Sequence, residues 1–104
     1  MIVPSATAKK PQINAAVSEV VRELTPQVQY IRYNLAQDWS GDPAIYFRVL
    51  LSDEASKMPT LIDVASKVES LLSEKIDFSE IGVFAYFNYR NQFEQAQMRD
   101  PEWA

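Results

Sequence analysis

The stretch Val28–Leu51, VQYIRYNLAQDWSGDPAIYFRVLL, decides the fold. Its two ends are rich in β-branched and aromatic residues, the composition that fits a pleated, half-buried surface. Between them Asp38-Trp39-Ser40-Gly41-Asp42-Pro43 gathers turn formers. Strands over Val28–Leu35 and Ala44–Leu51 joined by that turn form an antiparallel hairpin. Alternation then sorts the side chains. Ile31, Tyr33 and Leu35 share one face with Ile45, Phe47, Val49 and Leu51, and this apolar face needs a cover.

Working outward, two helices supply the cover. Upstream, Pro11–Leu24 places Ile13, Val17, Val20, Val21 and Leu24 on one stripe at steps of three and four. Pro11 suits the first turn, and Thr25-Pro26 ends the helix. Downstream, after the polar connector Ser52–Pro59, a longer helix runs from about Thr60 to Ile76. Leu61, Val64, Ala65, Val68, Leu71 and Leu72 form its stripe, with Thr60 as N-cap and Asp63 in its first turn. A third strand follows over Ile81–Arg90, with Ile81, Val83, Ala85, Phe87 and Tyr89 turned inward.

The order α-β-β-α-β predicts an α+β two-layer sandwich, a three-stranded sheet with two helices on one face. Placing the third strand beside the first gives the order 2-1-3, antiparallel throughout. The order 1-2-3 would leave a parallel pair at an exposed edge. The expected organisation is an N-terminal arm over 1–10, one domain over 11–90, and a tail over 91–104. Phe93, Met98 and Trp103 on that tail suggest docking on the domain or on a partner, with a short helix over Gln92–Arg99.

The face opposite the helices is the candidate site. It carries Tyr30 and Arg32, then Tyr46 and Arg48, then Phe84, Tyr86, Asn88 and Arg90. Three of the chain's five arginines fall here. Rings that stack and guanidiniums that grip carboxylate or phosphate describe a recognition surface, either for a protein or for single-stranded RNA. Tyr, Phe and Arg are also the types enriched in interface cores, which favours a protein partner. The simplest is a second copy of the chain, forming a homodimer.

Composition narrows the chemistry. The 104 residues include no cysteine and no histidine. That excludes a disulfide framework, thiol nucleophiles, Ser-His and Cys-His catalysis, and imidazole or thiolate metal ligation. Two glycines, Gly41 and Gly82, are too few for a phosphate-cradling loop. A net charge of −4 and a pI of about 4.7 make nucleic-acid binding an unfavourable reading. Carboxylates occur at Asp38 and Asp42 and at Asp53-Glu54, but the hairpin sends the two groups to opposite ends of the sheet. They read as local turn caps rather than a metal site, and no cofactor is expected. No pair of carboxylates falls on either sheet face for acid–base work, so the expectation is a non-enzymatic module. Trp39 is expected to lie as a lid over the sheet end, and Arg90 to pair with Asp53 or Glu54. No apolar run reaches the length of a membrane span and no signal peptide is evident, so a cytoplasmic location is expected.

The segments Asp38–Val49 (DWSGDPAIYFRV), Leu51–Ser56 (LSDEAS), Tyr86–Arg90 (YFNYR) and Pro101–Ala104 (PEWA) resemble a family of short bacterial proteins without assigned function. The resemblance implies a protein partner, of the kind found in toxin–antitoxin pairs, and carries no catalytic residue. The element order also resembles ring-building and type II KH-like modules, although the KH Gly-x-x-Gly loop is missing.

Overall fold

The computed structural model describes residues 8–98. The expected arm therefore falls mostly, and Trp103 wholly, outside the described residues. The elements are α1 (Lys10–Leu24), β1 (Val28–Gln37), β2 (Pro43–Leu51), α2 (Thr60–Lys75), α3 (Phe78–Ile81), β3 (Phe84–Asn91) and α4 (Gln92–Met98). Together they make an α+β fold with a three-stranded mixed sheet.

Both long helices form where the periodicity places them. In α1 the buried residues are Ile13, Ala16, Val17, Val20 and Leu24. The helix stops at Leu24 because Thr25, preceding a proline, is extended. In α2 the buried stripe is Val64, Val68 and Leu72. Thr60 is not the N-cap. It is the first helical residue, and Pro59 holds the cap position without a side-chain hydrogen bond. Lys75 of α2 reaches Glu19 of α1 at 3.0 Å.

The strand order is β1-β2-β3, with β1–β2 antiparallel and β2–β3 parallel. This corrects the expected 2-1-3 antiparallel sheet. β2 takes the centre because it is the most apolar strand, with Ala44, Ile45, Phe47, Val49, Leu50 and Leu51 all buried. Parallel pairing also matches like with like. Tyr46 pairs with Tyr86 and Phe47 with Phe87. Their rings stack at 5.1 Å on opposite faces of the sheet, Tyr on Tyr and Phe on Phe. Each aromatic pair is worth about 0.5–1.5 kcal/mol beyond its buried area, which offsets the weaker parallel ladder.

β3 also begins later than its hydrophobic pattern suggests. Ile81 closes the one-turn helix α3. The Asp77 carboxylate caps that turn by accepting from the Glu80 N–H at 3.0 Å, and Gly82 ends it in the left-handed conformation (φ 84°). Ile81 and Val83 are buried nonetheless.

The core lies between the sheet and α1/α2. Phe47 sits at its middle, stacked on Phe87, tilted against Tyr33 and edge-on to Phe78. Inward tyrosines keep their hydroxyls bonded. Tyr33 donates to Asn14 Oδ1 at 2.6 Å, and Tyr89 to Glu69 Oε2 at 2.7 Å. A bulge at Gln29 resets the β1 register, so that Val28 and Ile31 both face the core.

Candidate functional site

Register brings the eight predicted residues onto one face of the sheet, away from α1 and α2. Four rows cross it. Phe84 stands beside Ala44. Tyr86 and Tyr46 continue to Asn34. Asn88 and Arg48 continue to Arg32. Arg90 and Leu50 continue to Tyr30. Asn34 and Leu50 were not singled out from the sequence, although the same alternation that selects Arg32 and Arg48 includes them. Leu50 is buried between its row neighbours, whereas Phe84 is 58% exposed.

The arginine row sets two like charges directly opposite, an arrangement that costs stability in a bare sheet. The side chains relieve it by diverging. The Arg32 guanidinium lies 4.3 Å from the centre of the Tyr30 ring, a cation–π contact. Arg48 turns the other way and donates through Nη1 to Asn34 Oδ1. Its Nε is buried and has no hydrogen-bond partner among the described residues. The face therefore presents two guanidiniums turned apart, Arg48 toward Asn34 in the row of the tyrosine stack and Arg32 onto the Tyr30 ring.

The tyrosine stack is tied to the hairpin turn. Tyr86 donates its hydroxyl to Asp38 Oδ2 at 2.8 Å. Asp38 Oδ1 accepts from the Ser40 N–H at 2.9 Å, the Ser40 hydroxyl at 2.7 Å and the Asp42 N–H at 3.0 Å. The Ser40 hydroxyl, whose hydrogen bond to Asp38 comes first, and the donors around it hold the Asp38 carboxyl below its ordinary range, against the opposing effect of burial. The Tyr86 hydrogen bond to Asp38, with burial and the nearby negative charge, pushes the Tyr86 phenol up. Asp38 is the buried charged side chain of this end of the sheet. Its role is that of a turn cap, as the sequence suggests, and its use as the anchor for Tyr86 depends on the β2–β3 pairing.

Two expectations at the sheet ends are corrected. Trp39 does not cover the sheet end. It is 92% exposed, because the Asp38–Asp42 hydrogen bonds close the turn beneath it. Among the described residues Arg90 forms no ion pair with Asp53 or Glu54. The Asp53 carboxylate accepts from the Phe93 N–H at 3.1 Å, at the start of α4. Asn91 and Glu94 complete a reciprocal cap there, at 2.7 and 3.1 Å. Arg90 donates to Gln95 Oε1 of α4 at 3.3 Å. The turn and connector carboxylates thus stand at opposite ends of the sheet. Among the described residues no group of three or more His, Cys, Asp or Glu is placed to hold a metal ion. No helix of the described residues is long and apolar enough to cross a membrane.

No family model and no curated protein matches the chain. Among solved structures, the chain is similar to the metal-bound C-terminal domain of the CzcD transporter from Cuprividus metallidurans. Identity is 16% and the TM-score 0.44, over 72% of this chain and 94% of that one. A likeness of that size does not establish a shared function.

Proposed function

We propose that the chain is a non-enzymatic interaction module that binds a protein partner, most simply a second copy of itself, through the sheet face opposite α1 and α2. The observation that supports this reading is the register that places Tyr30, Arg32, Tyr46, Arg48, Tyr86 and Arg90 on one continuous surface. Aromatic rings and guanidiniums are the side chains enriched in such surfaces. Here the Tyr46–Tyr86 stack and Arg48 stand in the two inner rows and Arg90 in an outer one.

The test is an Arg32→Ala, Tyr46→Ala double variant, followed by light scattering on a sizing column with circular dichroism as the folding control. Loss of assembly with the fold intact is the expected result. Unchanged assembly would refute the proposal.

A second reading, an RNA or other anionic ligand on the same face, has the opposed Arg32 and Arg48 in its favour. The chain's net charge of −4 weighs against RNA. This reading requires binding that weakens steeply with salt and is lost in an Arg32→Ala, Arg48→Ala, Arg90→Ala triple variant. Salt-independent binding would remove it.

A further inference from the structure

We propose that the outer edge of β1 pairs with the β1 edge of a second copy, antiparallel across a two-fold axis, so that two three-stranded sheets run on as one. The inference goes beyond the face described above, because it uses a different surface, the strand backbone.

The hairpin turn fixes which backbone groups point outward. The Asp38 N–H donates to the Asp42 carbonyl at 2.8 Å, so these two residues bond each other directly. In an antiparallel pair such positions alternate. Counting back along the register, Ala36, Asn34 and Arg32 turn their N–H and C=O groups to β2, whereas Gln37, Leu35, Tyr33 and Ile31 turn theirs away from it. Among the described residues β1 pairs with β2 alone, and no other backbone hydrogen bond reaches those four. A cleft lies along this edge. It is lined by three successive strand residues, Tyr33, Asn34 and Leu35, and by Lys10 and Asn14 of α1. Successive side chains point to opposite faces, so what the three share with the cleft is their backbone.

Three observations name a second copy as the occupant. First, the edge is unguarded. β1 is ten residues long, and its sequence VQYIRYNLAQ has no proline, lysine or carboxylate, the usual devices against pairing. Its bulge, at Gln29, lies at the entry and leaves the register from Tyr30 to Gln37 regular. Second, the pairing closes. An antiparallel edge is complementary to itself, and β1 on β1 satisfies both copies in one dimer. At the opposite edge of the sheet α4 already takes the Asn91 N–H through Glu94, and β1 on a neighbour's β3 would run on as an open chain. Third, the side chains choose a register. Centring on Arg32 would set it against the partner's Arg32, a like-charge pair that costs stability. Centring on Tyr33 sets Ile31 against the partner's Leu35, Tyr33 against the partner's Tyr33 and Arg32 against the partner's Asn34. That register makes about six backbone hydrogen bonds across the axis.

Hydrogen exchange on the full-length chain, read amide by amide by NMR, tests it, with light scattering on the same samples. The amides of Arg32, Asn34 and Ala36 point to β2 and serve as the internal standard. The expected result is a particle of two chains in which the amides of Ile31, Tyr33 and Leu35 are protected like that standard. Asn34→Lys sets a cation against the partner's Arg32. It should release the pair and speed those three amides more than about tenfold, with the fold kept by circular dichroism. Asn34→Asp retains an acceptor for Arg48 and should leave the pair assembled. Fast exchange at Ile31, Tyr33 and Leu35 in the unmodified chain would overturn the inference. So would protection of all three in a particle of one chain, which would mean that the chain covers its own edge. These two results need no variant. An assembly that a folded Asn34→Lys chain keeps would overturn it as well.

Tyr46→Ala with Arg48→Ala, both outside β1, separates this inference from the function proposed above. Assembly kept with the three amides still protected supports the edge and refutes the face. Assembly lost with the three amides released keeps the face and refutes the edge.

Discussion

The hydroxyl of Tyr86, in the edge strand β3, donates at 2.8 Å to the carboxylate of Asp38, in the turn of the hairpin 48 residues earlier. Through it the β2–β3 pair is anchored to the β1–β2 turn, and the Tyr46–Tyr86 stack is held in place toward one end of the sheet face opposite α1 and α2.

That bond has a pH signature. The folded-state pKa of Asp38 is lowered, so its contribution is present above the ordinary carboxylate range and is lost as pH falls through the folded value. Asp38→Asn should therefore lower stability at neutral pH, and the gap to the parent should narrow as pH is taken down toward the acid limb. Urea unfolding across the pH series measures it. A gap that stays constant with pH would show that the charge is not what Ser40, Asp42 and Tyr86 recognise.

Three phenols titrate late. Burial pushes Tyr33 up, the Asp38 hydrogen bond pushes Tyr86 up, and burial with the Glu69 hydrogen bond pushes Tyr89 far up. A raised phenol stabilises the fold below the unfolded pKa, and the contribution is lost as pH rises through the folded one. In an alkaline absorbance titration these three should ionise above the ordinary tyrosine value. Tyr89→Phe should remove one phenol from that late step. Ionisation of Tyr33, Tyr86 and Tyr89 near the ordinary value of about 10 would contradict the burial and hydrogen bonds described.

Phe47 is fully buried and in ring contact with Tyr33, Phe78 and Phe87. Phe47→Ala should cost about 3–5 kcal/mol in chemical denaturation, from lost transfer energy and the cavity left behind. A loss under about 1 kcal/mol would place Phe47 outside a well-packed core.

At Gly82 a side chain has room, since nothing lies within 4 Å of where a Cβ would sit, yet φ is +84°. Gly82→Ala should lose about 1 kcal/mol through backbone strain alone, and Gly82→Asn less. Equal stability of the alanine variant would mean that α3 ends in another way.

Much of this was legible in residue order. The steps of three and four at Ile13–Leu24 and Val64–Leu72 gave both covering helices, and alternation gave the membership of each sheet face. Strand order was not legible from the rule against parallel edges. It followed from the burial of β2 on both sides and from the match of Ala44-Ile45-Tyr46-Phe47 with Phe84-Ala85-Tyr86-Phe87 in parallel register. The helix α3 was signalled by Asp77, Glu80 and Gly82, but Ile81 and Val83 continue the alternation of β3 and masked it. The Asp38–Tyr86 bond joins residues too far apart for any spacing rule, and the solvation of Trp39 depends on how the turn closes beneath it.

The most direct test of the central claim is the mass of the chain in solution, by light scattering across a dilution series with absorbance read for nucleic acid. Association through the sheet face opposite α1 and α2 predicts a particle of twice the 11.9 kDa chain mass, free of nucleic acid, that dissociates on dilution. A particle of one chain mass at every concentration would contradict it.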